Sequence, residues 1–211
     1  MWPLLPGLAR IATRTLSLDN VERNLYSEFM TRAGDLLPMN PNAWDVLFAM
    51  QHHGLPTRLL DWTETLGVAV YFAVWPESDG ESAVWILNPF LLNEAVLGHA
   101  GLGQPYKLLP ANYLEYFIER SAQFPGAALA MSPLRHHPRM LRQRAGFTLH
   151  SNMGKPLDEH FPDVVTKVVI PSEARPGALA FLRSAGISEF SLFPDLDGLA
   201  RELRCHYFVG G

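Results

Sequence analysis

The stretch from Gln51 to Thr63 reads Gln-His-His-Gly-Leu-Pro-Thr-Arg-Leu-Leu-Asp-Trp-Thr. It sets His52, His53, Thr57, Arg58, Asp61, Trp62 and Thr63 along a loop stiffened by Gly54 and Pro56, between two apolar segments. Binding residues gather on loops held by rigid neighbours. Trp62 offers a flat surface for stacking a planar ligand, with core packing as the alternative. Arg58 and Asp61, three residues apart, are a guanidinium and a carboxylate that can each grip a polar ligand. The alternative is that they pair with each other and stitch the loop to the core. Adjacent histidines on a helix point about 100° apart, and neither has a His or carboxylate four residues on. Zinc chemistry is therefore not expected, and no metal is assigned.

A second polar cluster runs from Arg135 to Arg144 and holds four arginines in ten residues. At helical spacing Arg135, Arg139 and Arg142 share a face that could hold an anion. A solvated helix face is the ordinary reading of such a run. Gly98, Gly101 and Gly103 suggest a mobile loop, and without a following helix start they are weak support for a phosphate site. No Gly-x-Ser-x-Gly elbow is present, so serine-nucleophile chemistry is not expected.

The elements around these residues follow from periodicity and punctuation. Leu18, Val21, Leu25 and Phe29 predict a helix from about Ser17 to Arg32, with Asn20, Glu22 and Arg23 between them. Asn40-Pro41 is read as the cap and first position of a second helix, whose Trp44, Leu47, Phe48 and Gln51 share a face and which Gly54 ends. Thr63 to Val74 is apolar all round, helix or strand, with Thr63 available as a cap. Asp79-Gly80 marks a turn before a buried strand, Ala83–Leu87. Short strands are expected at Ala127–Met131, Phe147–His150 and Val164–Ile170. A helix over Gly177–Ser184 stops at Gly186, and a last one opens at Pro194-Asp195 with Leu196, Leu199 and Leu203 on one face. Strands and helices mix without βαβ alternation, so the fold class is α+β, a single domain over residues 1–211.

The 211 residues are 48% hydrophobic and 18% charged, enough for a sizeable core. No apolar run is long enough to span a membrane. A formal charge of −4 makes nucleic acid an unlikely partner, the Arg135–Arg144 patch notwithstanding. Fourteen arginines stand against three lysines, a bias that suits bidentate anion binding or reflects composition alone. A lone cysteine, Cys205, and a start without a secretory pattern lead to the expectation of a cytoplasmic protein.

With these residues in view, the chain resembles the FRG-domain family. The likeness is carried by the Gln51–Thr63 run, its continuation through Val68–Ala73 to the strand Ala83–Leu87, the opening Trp2-Pro3-Leu4-Leu5-Pro6, the segment Arg139–Thr148 and the closing Ser191–Leu199. It extends in order over nearly the whole chain. The Phe/Tyr-Arg-Gly motif for which the family is named has no counterpart here, since no Arg-Gly dipeptide occurs; either the sequence is truncated or this member lacks the motif.

A weaker resemblance, to ADP-ribosyltransferases, rests on the order of a Thr-containing strand, an Ala-x-x-Phe-Ala helix and a third strand. It implies NAD as cofactor and no metal, Thr63 as a catalytic contact on the nicotinamide ribose, and Arg139 or Gln143 near the third motif. No Glu stands in that stretch. The expected site is thus Thr63 and Gln143 for catalysis, with His52, His53, Thr57, Arg58, Asp61, Trp62 and Arg139 binding NAD or a related nucleotide. The alternative is a non-catalytic binding module of a bacterial toxin or phage-defence system.

Overall fold

The computed structural model describes residues 3–11, 17–75, 80–132 and 144–209. Helix α1 (Leu18–Ala33) begins where Ser17 accepts a hydrogen bond from the Asn20 amide, and α2 (Ala43–His52) where Asn42 accepts one from Asp45. The second cap corrects the expectation of Asn40-Pro41. Asn40 has φ 52°, a turn conformation, and the Asn42 side chain does the capping. Gly54, with φ 80°, lets the chain leave α2 and return along strand β1 (Leu59–Thr63).

Helix α3 (Leu66–Val74) follows, so the ambiguous apolar stretch divides. Thr63 ends the strand instead of capping a helix, and its hydroxyl accepts from the Thr65 amide at 3.1 Å. Strand β2 (Ser82–Leu87) leads into α4 (Pro89–Leu97), capped by Asn88 with proline in its first turn. That helix was not legible in the sequence, and neither was the π-turn at Leu114–Ile118, which buries Tyr116 and Phe117. Strands β3 (Ala128–Met131), β4 (Ala145–His150) and β5 (Val165–Ile170), then α5 (Arg175–Ser184) and α6 (Leu196–Arg204), complete the longer elements. Gly186 has φ 66° beyond α5, as expected of a left-handed stop. On α6, Leu196 and Leu203 are exposed.

The fold is α+β. The strands form two antiparallel sheets, one in the order β1-β4-β3 and one pairing β2 with β5. Period-two alternation divides the core. Leu129, Met131, Phe147 and Leu149 pack against α2 through Trp44, Leu47 and Met50. On the opposite face Ala128 and Ala130 meet Leu4, Leu92 and Leu157, with Leu60, Trp62 and Trp85 packed alongside. A third cluster joins Val68, Tyr71 and Val74 of α3 to Leu182 of α5.

One buried ion pair ties these layers. The Arg58 Nε donates to Glu22 Oε1 at 2.6 Å, its Nη2 pairs with Glu22 Oε2, and its Nη1 donates to the His150 carbonyl at 2.7 Å. Tyr113 donates to the same Glu22 oxygen at 2.5 Å, and the guanidinium lies 3.8 Å from the Phe117 ring centroid. Glu22 thus faces inward, one helical turn from buried Tyr26, where the pattern had placed it among the outward polar residues. Its charge is tolerated there because all the groups around it donate to it.

Removing one partner of a buried pair leaves an uncompensated charge. Arg58→Met or Glu22→Leu alone is expected to lower unfolding stability by ~3–5 kcal/mol, and the double variant to recover most of the loss. Guanidinium chloride denaturation measures it, and a loss below about 1 kcal/mol for either single variant would contradict the role assigned.

Candidate functional site

The two sheets, the end of α2 and one face of α3 enclose a cleft of about 400 Å³. Its apolar wall comes from Phe48 on α2, Trp62 on β1, Phe72 on α3, Trp85 on β2 and Phe147 on β4. Its polar rim comes from Gln51 and His52 at the end of α2 and from Asp61 and Thr63 on β1. An aromatic enclosure with a few converging polar groups is the usual make-up of a small-molecule site.

Four residues expected at a site, His52, Asp61, Trp62 and Thr63, are brought together here. Strand β1 carries three of them and the end of α2 the fourth, His52. Successive β1 residues alternate, so Asp61 and Thr63 lean toward α2 while Leu60 and Trp62 lean toward β2. Gln51 Nε2 donates to Asp61 Oδ2 at 2.7 Å, and Thr57 Oγ1 donates to Gln51 Oε1 at 2.5 Å. The same threonine oxygen accepts from the Leu59 amide at 3.0 Å. Thr57 therefore anchors Gln51, and Gln51 fixes one oxygen of the aspartate.

The other expected residues lie elsewhere. Thr57 and Arg58 are buried and stand behind the cleft wall, the arginine committed to Glu22 and not to Asp61. Arg58 precedes β1 and its guanidinium is taken up by Glu22 of α1, so the spacing that suggested an Arg58–Asp61 pair does not make one. His53 is exposed just past α2, its ring edge-on to His52 with centroids 4.9 Å apart, and it is not a lining residue. Arg139 and Gln143, with the rest of the Arg135–Gln143 run, fall outside the described residues. Among the described residues no three His, Cys, Asp or Glu side chains are grouped as a metal site requires.

Sequence reasoning missed the residues behind Trp62. The indole Nε1 donates to Thr148 Oγ1 at 3.0 Å, and that oxygen lies 2.9 Å from His150 Nε2. Thr148 and His150 are wholly buried. Burial first, then the Arg58 guanidinium, holds the imidazole neutral and moves its pKa from the ordinary 6.5 down to about 4. Their alternation on β4 was visible as a strand, but nothing in the sequence linked them to a tryptophan 86 residues away. Trp85 and Phe72 were legible only as core.

The family model of the FRG domain matches one stretch of the chain, residues 1–82. That stretch contains α1, α2, β1 and α3, and with them the polar rim of the cleft; the walls from β2 and β4 lie beyond it. No curated protein and no solved structure matches the chain. No helix among the described residues is long and apolar enough to cross a membrane.

The His150 shift has a definite pH signature. Below pH 6.5 the unfolded chain takes up a proton that the folded chain refuses until about pH 4. The stability tied to neutral His150 is complete above pH 6.5 and drains away as the pH falls through that window. Over the whole window it is worth ~3 kcal/mol. Urea titrations of the wild type and of His150→Leu at several pH values should diverge by about that amount between pH 7 and 4, because the carboxylates common to both cancel. Parallel curves would contradict the assignment.

Proposed function

We propose that the cleft binds the nicotinamide–ribose half of NAD, or of a related nucleotide, in an ADP-ribosyltransferase-like manner. What supports this reading is the joining of the aromatic walls of Trp62, Phe72 and Trp85 to a rim of Asp61, Thr63, His52 and Gln51 in one cleft of about 400 Å³. That volume lies toward the small end of ligand sites and suits a nucleoside better than a whole dinucleotide.

Trp62 stacks the flat ring. Thr63, at the end of β1, offers its hydroxyl to the ribose. Asp61, kept in place by Gln51, is the one carboxylate among the described lining residues, and it faces the ligand where an anion favours positive charge. NAD would supply a ribose carbon that becomes electron-poor as nicotinamide departs with the bonding pair; an acceptor nucleophile, or water in its absence, then bonds to that carbon and gives up its proton to solvent. The described lining residues include no Arg or Lys, and contact to phosphate is assigned to Arg139 and assistance to transfer to Gln143.

A second reading, a non-catalytic binding module of a toxin or phage-defence system, is favoured by the Gln51–Asp61 hydrogen bond, which already occupies one oxygen of the one carboxylate among the described lining residues.

Calorimetry with NAD, paired with chromatographic detection of released nicotinamide, separates the two. On the first reading the chain binds NAD, and Trp62→Ala weakens binding by about tenfold or more, the worth of one stacked base. Thr63→Ala weakens it less, and Asp61→Asn abolishes nicotinamide release while leaving binding within a few-fold. Binding without release by the wild type supports the module. No binding at millimolar NAD removes the transferase-like reading.

A further inference from the structure

The cleft wall is held by a polar relay in the sheet behind it, and its geometry follows from the strand register. Trp62 pairs across the β1–β4 ladder with Gly146, and Leu60 with Thr148. Leu60, Trp62, Gly146, Thr148 and His150 thus share one face of the sheet. With a glycine directly opposite it, the indole has no side chain to displace and leans along β4 to the next residue on that face, Thr148. A Cβ at Gly146 would find its nearest neighbour 3.9 Å away, the Met131 carbonyl oxygen, so the space opposite Trp62 is open.

An indole nitrogen only donates, so Thr148 Oγ1 accepts from Trp62. The same oxygen is hydrogen-bonded to His150 Nε2 at 2.9 Å, the donor being set by the imidazole tautomer. The imidazole is itself placed by its backbone. The His150 amide donates to the Arg58 carbonyl at 3.0 Å, and the His150 carbonyl accepts from Arg58 Nη1. Arg58, bound to Glu22, thus anchors the far end of the relay while Trp62 forms its cleft end.

We propose that Thr148 is a positioning residue for Trp62, that His150 orients its hydroxyl, and that this relay sets the plane of the indole in the cleft wall. The consequence for ligand affinity rests on the reading of the cleft as a nucleotide site; the consequence for the indole does not.

The test is the indole N–H signal of Trp62 in ¹H–¹⁵N spectra, assigned by its loss in Trp62→Phe, with NAD calorimetry on the same samples. In the wild type the signal should be shifted downfield and its proton should exchange slowly, a measurement that needs no variant to fold. In Thr148→Val it should move upfield by several tenths of a ppm and lose its protection, while Thr148→Ser restores both. His150→Leu should produce part of the shift. Affinity for NAD should fall by about three- to tenfold in Thr148→Val and return to within twofold in Thr148→Ser.

A fast-exchanging wild-type indole, or a Thr148→Val signal at the wild-type position, overturns the relay. An unmoved signal in His150→Leu removes the histidine from it. Normal NAD affinity in Thr148→Val with a displaced indole shows that the relay does not serve binding. If the wild type binds no NAD, the nucleotide reading fails while the spectra still decide the relay.

Discussion

The molecule is organised around a charge placed where water cannot reach it. Arg58 sits between the loop that follows α2 and the start of β1, and its guanidinium meets α1 through Glu22, the end of β4 through the His150 carbonyl, and the π-turn through Phe117. Desolvating such a pair is costly, and it is tolerable only where every donor and acceptor is met. Glu22 receives Arg58 and Tyr113 at one oxygen and Arg58 again at the other. That demand fixes how α1 lies against the sheet, and with it the position of the strand that carries the cleft residues. A hydrophobic contact in the same place would hold the layers together without specifying their register so narrowly.

The cleft inherits its form from that arrangement. β1 is an edge strand, so its residues can reach past the sheet toward β2 on one side and α2 on the other. Two chains of polar contacts run from its residues into the interior. Asp61 is tied to Gln51 and Thr57, and Trp62 to Thr148 and His150. Both end next to Arg58, since Thr57 precedes it in sequence and His150 is hydrogen-bonded to its backbone and side chain. The Thr148–His150 end is wholly buried, and a buried polar network is stabilising only when complete, whereas the Gln51–Asp61 bond at the rim is exposed.

The comparison with the FRG domain fits this division of labour. The matched residues, 1–82, supply the ion pair itself and the polar rim, whereas the strands that complete the wall come later in the chain. The residues of the Gln51–Thr63 run are of two physical kinds: Thr57 and Arg58, just before β1, are buried framework, and Asp61, Trp62 and Thr63, within it, line the cleft.

Much of the scaffold was written locally. Helix α1, the end of α2 at Gly54, the strands near residues 83–87, 128–131 and 147–150, and the stop at Gly186 all rest on short-range preferences of the backbone, so periodicity and punctuation revealed them. The candidate residues of the Gln51–Thr63 run were legible as a group for the same reason. Their roles were not. Whether Arg58 meets Asp61, Glu22 or a ligand depends on which residue a distant helix brings within hydrogen-bonding distance, and no spacing along the chain encodes that. Thr148 and His150 looked like ordinary strand residues until the β1–β4 register set them behind Trp62. The sequence by itself determined which elements form and which side chains are chemically able; the tertiary structure decided which of them are buried and which face the cleft, because burial and pairing are properties of contacts between segments far apart in the chain.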